Sequence, residues 1–204
     1  QYSDAVHCQE FKADPSLPLI IGLDAGLTPA VVIGQLSKRG QLRILDEIVT
    51  TNMDMYSLAR DLLKPHLAKY YPNYKYDRAY CDPAKTRGDA AAQSAIGILN
   101  DIYSDGSDQE NAGIIVMPLE LPFMTAPAPG DNTIAPRLAA VNFYLTKMLD
   151  GAPGFLLHPR CTVLRKGFLG KYQFERVQVA GDERYKEIPK KNASSHPHDG
   201  LQNL

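Results

Sequence analysis

Apolar stretches alternate with short polar turns between residues 19 and 49, which is the pattern of consecutive β-strands. The first stretch, Leu19 to Asp24, is a buried strand that ends in a carboxylate. Two β-branched and aliphatic runs follow, Ala30 to Leu36 and Gln41 to Val49, and Gly40 in the connection between them suits a positive φ. We expect the three strands to form an antiparallel meander.

The spacing of apolar residues then changes from two to three and four. Thr51 and Asp54 have the arrangement of a helix capping box, and leucines recur at helical intervals between Leu58 and Leu67. This pattern predicts a helix of about four turns. Residues 78 to 83 are predicted to form a fourth short strand, which ends in an aspartate and is stopped by proline.

The middle of the chain is predicted to contain further helices and a strand. Residues 88 to 103 look helical, and Gly113 to Met117 is expected to be a fifth strand that precedes a proline-rich loop from Pro118 to Gly130. Apolar residues at spacings of three and four predict an amphipathic helix from Thr133 to Leu149.

The last third of the sequence returns to β-structure before a final helix. Phe155 to His158 is a short apolar strand, and Tyr172 to Val179 with Arg184 to Ile188 is predicted to form a hairpin. Ser194 to Asp199 has the composition of a capped first helical turn, in which proline is tolerated.

Three aspartates in separate parts of the chain are candidates for one site. A right-handed crossover through the first long helix would place the fourth strand parallel to the first and beside it. Asp24 and Asp82 would then lie at the carboxyl edge of the sheet, where ligands bind in such folds, and Asp199 is a third candidate. Taken singly, Asp24 and Asp82 can also be ordinary turn residues.

Three adjacent carboxylates require a compensating cation. Two like charges about 4 Å apart repel by roughly 4 kcal/mol at an effective dielectric of 20. Hard oxygen ligands favour Mg²⁺ or Mn²⁺, and two such ions about 4 Å apart can activate a water and stabilise the leaving oxygen of a phosphodiester. The arrangement therefore predicts hydrolysis of a nucleic-acid backbone.

Composition limits how such a protein would bind nucleic acid. The formal net charge is -1 and the pI is about 6.6, so there is no global basic field. Between residues 160 and 191, however, nine Lys or Arg stand against four Asp or Glu, which indicates a local basic surface, although such a stretch is usually a solvated face.

Length, cysteines and hydropathy set further bounds. A chain of 204 residues is expected to form one main domain. Cys8, Cys81 and Cys161 lack the spacing of a disulfide framework or a zinc site, so a reducing cytoplasm is expected. No apolar run approaches the ~20 residues that cross a bilayer, and no membrane partner is expected.

Several segments together resemble the nuclease domain of tailed-phage large terminases. Their order and spacing fit that family from about residue 19 to the end of the chain. The matching segments are Ile21 to Ala30, Cys81 to Ala84, Pro153 to Leu157, Leu164 to Phe168 and Ser195 to Gln202.

The resemblance implies an α/β, RNase H-like fold. Its central sheet would be mixed and five-stranded, with order 3-2-1-4-5 and an antiparallel strand 2, flanked by helices and followed by the late β-hairpin. In this interpretation Asp24, Asp82 and Asp199 are the catalytic residues and hold two Mg²⁺ or Mn²⁺ ions. His196 and His198 are possible supports for these ligands, although such residues are more often surface or capping residues.

The same resemblance implies an endonuclease that cuts concatemeric double-stranded viral DNA during genome packaging, with little sequence specificity. Arg165, Lys166, Lys171 and Arg176 would contact phosphates of the DNA. A packaging ATPase domain, a small terminase subunit and the portal would be partners, in the cytoplasm of an infected bacterial host. Because the chain has no Gly-x-x-x-x-Gly-Lys-Ser/Thr loop, residues 1–18 are interpreted as a linker from a missing upstream ATPase domain and residues 19–204 as the nuclease domain.

Two other classes of function remain open. Actin-like and sugar-kinase ATPase lobes also begin with a strand and a hairpin over phosphates, and residues 22 to 28 fit that pattern loosely, but the chain has no Asp-x-Gly-Gly-Gly loop. A nuclease-dead DNA-binding assembly module, with purely structural aspartates, is the other alternative. Binding of a divalent metal would distinguish it from an active nuclease.

Overall fold

The computed structural model of the protein describes residues 1–25, 28–81, 124–125, 134–177 and 184–204. The strands are β1 (Leu19–Asp24), β2 (Ala30–Leu36), β3 (Leu42–Val49), β4 (Tyr76–Cys81), β5 (Met124–Thr125), β6 (Met148–Leu149), β7 (Ala152–Pro153), β8 (Phe155–Leu157), β9 (Phe174–Val177) and β10 (Arg184–Pro189). The helices are α1 (Asp4–His7), α2 (Met55–Ser57, continued by Leu58–Leu63 and Lys64–Tyr70), α3 (Ile134–Thr146), α4 (Thr162–Lys166, continued by Gly167–Lys171) and α5 (Ser195–Asn203).

The central sheet is mixed and has the strand order β5-β4-β1-β2-β3-β8. β2 is antiparallel to both β1 and β3, whereas β4 runs parallel to β1 and β5 runs parallel to β4. The predicted mixed sheet, the order 3-2-1-4 and the antiparallel second strand are therefore confirmed, while the strand beside β4 is formed by Met124–Thr125, outside the segment predicted as the fifth strand. β8 adds a sixth strand, which runs parallel to β3 at the opposite edge from β5.

Both predicted hairpins are present. Gly40 in the β2–β3 turn has a φ of +83°, as its position in the sequence indicates, because a residue without a Cβ adopts this conformation without strain. β9 and β10 form a separate antiparallel pair.

Several predicted boundaries are wrong. The helix predicted from a capping box at Thr51 begins at Met55, and Asp54 is its N-cap because its extended backbone lets the carboxylate accept the Ser57 N–H at 2.9 Å. Asn52, with a φ of +51°, turns the chain before the helix. Thr51 therefore lies outside the helix cap.

Two predictions in the second half of the chain also need correction. The segment predicted as a proline-rich loop contains β5, which pairs with Tyr80 and Cys81 of β4. The amphipathic helix ends at Thr146, not Leu149, because positive φ values at Asp150 and Gly151 reverse the chain and pair β6 with β7. The fifth strand predicted at residues 113–117 and the helix predicted at residues 88–103 lie outside the described residues.

The two faces of the sheet meet different hydrophobic cores, because side chains alternate along each strand. Leu19, Ile21 and Leu23 of β1 pack with the leucines of α2 in one core. Ile20 packs on the other side with residues of β8, α4 and α5, including Phe155 and Leu201. β1 is thus buried on both faces, which explains its nearly continuous apolar sequence.

Residues 1–18, interpreted as a linker, contact the edge strand β8 and the helices α3 and α4. Cys8 forms a parallel bridge with Leu157 of β8, and the buried His7 makes a 3.1 Å hydrogen bond with the carbonyl of Leu145. Tyr2 stacks on Phe168 with ring centroids 4.6 Å apart. The division between a linker and a domain at residue 19 stays a prediction.

Within the described ranges, no helix combines the length and the apolar character that crossing a bilayer requires. All three cysteines are free thiols, and Cys81 and Cys161 are buried.

Candidate functional site

Asp24, the first candidate ligand, is the last residue of β1 and is only 8% exposed. It shares a face of the sheet with Ile20 and Gly22, which is the face covered by α5. In the parallel pairing of β1 with β4, Leu23 lies opposite Cys81. The described part of β4 thus ends at the residue before Asp82.

Asp82 itself lies outside the described residues. Its predicted meeting with Asp24 therefore stays a prediction, which rests on the parallel register of the two strands that precede these aspartates.

The close approach of α5 to β1 depends on two glycines that face each other. A Cβ on Gly22 would lie 2.1 Å from the carbonyl oxygen of Gly200, and a Cβ on Gly200 would lie 3.3 Å from the carbonyl oxygen of Gly22. The helix backbone rests on the strand backbone at this point, which a larger residue at position 22 would prevent. Asp199, the neighbour of Gly200, is thereby brought close to the end of β1.

Asp199 is 8% exposed and is surrounded by polar partners. The Lys191 ammonium donates a hydrogen bond to its Oδ2 atom, and Arg137 donates from Nη2 to its backbone carbonyl at 3.3 Å. Arg137 also donates to Asn203 Oδ1 at 3.1 Å, and Asn203 Nδ2 donates to the Leu23 carbonyl at 2.8 Å. These last two bonds tie α5 to α3 and to β1.

The two aspartates influence each other electrostatically. Burial raises the pKa of Asp199, the negative charge of Asp24 raises it further, and the hydrogen bond and charge of Lys191 act in the opposite direction. The pKa of Asp199 remains above its ordinary value. Burial therefore disfavours the charged form of Asp199 by more than Lys191 and Arg137 favour it.

His196 belongs to the same site. Its Nδ1–H donates to Asp24 Oδ2 at 2.9 Å, a role that the carboxylate determines because it can only accept. His196 and Asp199 are three residues apart in α5, so they lie on the same face of the helix.

His198 has different surroundings. Its Nε2–H donates to the Leu164 carbonyl at 3.1 Å, and its ring stacks on Tyr172 with centroids 4.5 Å apart. A Cβ on Gly167 would lie 2.0 Å from the His198 ring, so α4 and α5 also meet closely here. Burial lowers the pKa of His198 to about 4, which keeps it neutral near pH 7. These contacts are those of a core histidine that joins α4 to α5.

In the part of the chain that the structure describes, no group of three or more His, Cys, Asp or Glu side chains is arranged to hold a metal ion. Asp24 and Asp199 supply two carboxylates, and the third predicted ligand lies outside that part. The donor set present consists of carboxylate oxygens, which suit Mg²⁺ or Mn²⁺ rather than a soft metal.

The predicted DNA-binding residues do not share one environment. Arg165 donates to Asp4 through Nε at 2.7 Å and through Nη2, so it joins α4 to α1. Lys166 and Lys171 are exposed at the surface. Arg176 pairs through its backbone with Tyr185 in the β9–β10 hairpin, and its side chain lies outside the described residues.

The segment around Lys171 lies next to the segment that carries Lys191. Asn192 Nδ2 donates to the Lys171 carbonyl at 2.9 Å, and the Lys190 N–H donates to the Gln173 carbonyl at 2.9 Å. Two segments that carry exposed lysines are thus adjacent, and one of them supplies Lys191 to Asp199.

Sequence reasoning missed three residues of the site, namely Lys191, Arg137 and Asn203. Lys191 was counted in the basic stretch but had no assigned role, and Asn203 follows directly on the segment Ser195 to Gln202 that carries the family resemblance. Arg137 stands within a mainly apolar helix pattern, where a single cation is a weak signal.

Solved structures of phage large terminases share this fold. The chain aligns with the manganese-bound nuclease domain of the large terminase of bacteriophage SPP1 at 16% identity and a TM-score of 0.51, over 91% of this chain and 84% of that one. For the cobalt-bound large-terminase nuclease of thermophilic phage G20c the identity is 12% and the TM-score 0.54, over 97% and 89% of the two chains. For the large terminase of a second thermophilic bacteriophage the identity is 13% and the TM-score 0.64, over 99% of this chain and 43% of that one.

At these identities the likeness establishes the fold. The predicted α/β, RNase H-like architecture of large-terminase nuclease domains is confirmed. The chain spans less than half of the length of the large terminase from the second thermophilic phage. No protein-family model and no curated protein matches the sequence.

Proposed function

We propose that this chain is the nuclease of a phage large terminase, a divalent-metal-dependent endodeoxyribonuclease that cuts concatemeric viral DNA during genome packaging. The observation that carries the proposal is the interacting pair of buried carboxylates, Asp24 and Asp199, at the carboxyl end of β1. The fold shared with large-terminase nucleases supports it, since two of those structures hold manganese or cobalt.

The residues present fit a divalent metal. Asp24 and Asp199 offer hard oxygen ligands, and burial disfavours the charged form of Asp199, which an added cation would favour. In the proposal, Asp82 completes the ligand set for two Mg²⁺ or Mn²⁺ ions. Bound ions would supply an activated water and stabilise the leaving oxygen of the phosphodiester.

The remaining residues of the site would hold these ligands in place. His196 orients the Asp24 carboxylate through its Nδ1–H, and Asn203 fixes α5 on the backbone of β1. Arg137 anchors the same helix to α3. Ligands fixed by such partners lose little freedom when a metal binds, which favours affinity.

We further propose that the exposed Lys166 and Lys171, with Arg176, contact DNA phosphates beside the carboxylates. Contacts of this kind position a duplex without reading its bases, so little sequence specificity is expected. Arg165 makes two bonds to Asp4 and would contribute to DNA binding only through its remaining N–H groups. A packaging ATPase domain reached through residues 1–18, a small terminase subunit and a portal are proposed partners, in the cytoplasm of an infected host.

Mn²⁺-dependent nicking of a supercoiled plasmid tests the proposal directly. Asp24→Asn, Asp82→Asn and Asp199→Asn remove one ligand charge each, and each should abolish nicking. Asp150→Asn is the matched control, since Asp150 is 79% exposed in the side chain and asparagine also tolerates its positive φ. Mn²⁺ at one hundred times its Kd should also stabilise the wild type by about 2.7 kcal/mol.

Two results would contradict the proposal. Undiminished nicking by any of the three ligand variants removes that residue from the site. A wild-type melting temperature that does not respond to millimolar Mn²⁺, together with an absence of nicking, would favour the nuclease-dead assembly module.

A further inference from the structure

The ion pair between Lys191 and Asp199 joins two residues with very different exposure. The side chain of Lys191 is 68% exposed, whereas that of Asp199 is 11% exposed. The carboxylate is held in place by α5, while the ammonium reaches it from solvent on a flexible four-carbon stem. Of the two partners, only the lysine can leave without moving a packed element.

Lys191 forms a hydrogen bond with a carboxylate oxygen that could also bind the proposed metal. Lys191 Nζ donates to Asp199 Oδ2, which is one of the two carboxylate oxygens of a candidate ligand. An ammonium and a divalent cation bound to one carboxylate repel each other and compete for the same lone pairs. A metal ion bound at this oxygen would therefore weaken the ion pair between Lys191 and Asp199.

Arg137, a second described cation near Asp199, is placed differently. Arg137 donates to the backbone carbonyl of Asp199 and to the side chain of Asn203, and neither of these atoms is a proposed metal ligand. Arg137 can keep these bonds when a metal is bound. Lys191 is therefore the cation that a metal would replace.

We propose that Lys191 is an exchangeable counter-ion of Asp199, which neutralises this carboxylate in the metal-free protein and is displaced when a divalent cation binds. The proposal rests on the function proposed above and assigns a role in metal loading to a residue outside the predicted ligand set. Lys191 stabilises the empty site and, by the same contact, lowers the apparent affinity of the site for metal.

Isothermal titration with Mn²⁺ alone tests this role. Lys191→Met removes the charge and keeps a side chain of similar length, and Lys190→Met is the matched control at the neighbouring exposed lysine. Removal of the competitor should tighten the Kd for Mn²⁺ by about fivefold, which corresponds to about 1 kcal/mol, the upper end of the range for ion pairs that solvent reaches. Without metal, Lys191→Met should melt at a lower temperature than the wild type. Mn²⁺ should raise the melting temperature of Lys191→Met by more than it raises that of the wild type.

A second measurement uses only the wild-type protein, so it does not depend on the folding of a variant. Acetylation of lysine amines by a succinimidyl ester, followed by mass spectrometry, reports how accessible each ammonium group is. Mn²⁺ should increase the acetylation rate of Lys191 and leave that of Lys190 unchanged.

The outcomes separate this inference from the proposed function. Mn²⁺ binding by the wild type with an unchanged or weaker Kd in Lys191→Met, or with an unchanged acetylation rate at Lys191, overturns the counter-ion role. A wild-type protein that binds no Mn²⁺ overturns the proposed metal-dependent function, and the inference falls with it.

Discussion

Replacement of Gly22 by alanine should push α5 away from the sheet and lower the free energy of unfolding. The size of the displacement follows from the contact that the new methyl group would make. An alanine Cβ at this position would lie 2.1 Å from the carbonyl oxygen of Gly200 and 2.9 Å from the Cβ of Leu204. An unstrained carbon–oxygen contact is about 3.3 Å or longer, so the helix must move by about 1 Å. Because the nearest atom belongs to the backbone, no side-chain rotation can relieve the clash.

Gly200→Ala provides a matched comparison on the opposite side of the same contact. Its Cβ would lie 3.3 Å from the Gly22 carbonyl oxygen and 3.5 Å from Val32 Cγ2, which requires an adjustment of only a few tenths of an ångström. Alanine within a helix also gains about 1 kcal/mol relative to glycine. We expect Gly200→Ala to stay within about 1 kcal/mol of the wild type.

Gly22→Ala, in contrast, should cost about 3 kcal/mol, at the upper end of the range for overpacked cores. Urea unfolding followed by far-ultraviolet circular dichroism measures both free energies of unfolding. The same displacement moves Asp199 relative to Asp24, so Mn²⁺ should stabilise Gly22→Ala less than it stabilises Gly200→Ala. Equal free energies of unfolding for the two variants would refute the reasoning, because the clash would then have been absorbed without movement of the helix.

Two further predictions concern α5 and the basic surface. The pKa of His198 is about 4 in the folded protein and 6.5 for an ordinary histidine, so its contribution to stability is complete above pH 6.5 and is lost as the pH falls towards 4, by about 3 kcal/mol in total. His198→Gln keeps a donor for the Leu164 carbonyl and should flatten the decline in urea-derived stability between pH 7 and pH 4.5, whereas an equally steep decline would rule out His198 as its source. Lys166→Ala with Lys171→Ala should weaken DNA binding and reduce the slope of log Kd against log salt by about 0.9 per lost phosphate contact. Lys69→Ala on α2 is the control, and an unaltered slope in the double variant would place the DNA surface elsewhere.

The parts of the fold that local sequence pattern could predict are those in which neighbouring residues decide the structure. The alternating apolar residues of β1 to β3 and the turn glycine at Gly40 specify a meander whatever packs against it. The first turn of α5 is similarly readable from Ser194 to Asp199, and the helix begins at Ser195. The ends of two predicted strands and the first turn of the last helix suggested the three aspartates, and the family resemblance pointed to the same residues; of these, Asp24 and Asp199 interact electrostatically in the structure.

Boundaries were predicted less well, because small backbone preferences compete there. Positive φ values at Asn52, and at Asp150 together with Gly151, turn the chain next to the start of α2 and beyond the end of α3, and Asn52 is not a glycine that would have signalled the change. β5 has only two residues, and its strand conformation depends on its pairing with β4 rather than on its own composition.

The sequence alone therefore determined the succession of β1 to β4 along the chain, the chemistry of the candidate ligands and the family resemblance, since each depends on local pattern or on residue type. The tertiary structure decided which side chains meet. It paired Lys191 with Asp199 and Arg165 with Asp4, buried His198 between α4 and α5, and opposed Gly22 to Gly200. Such contacts join residues up to 178 positions apart, as for Gly22 and Gly200, and they arise from the packing of whole elements, which no local pattern along the chain encodes.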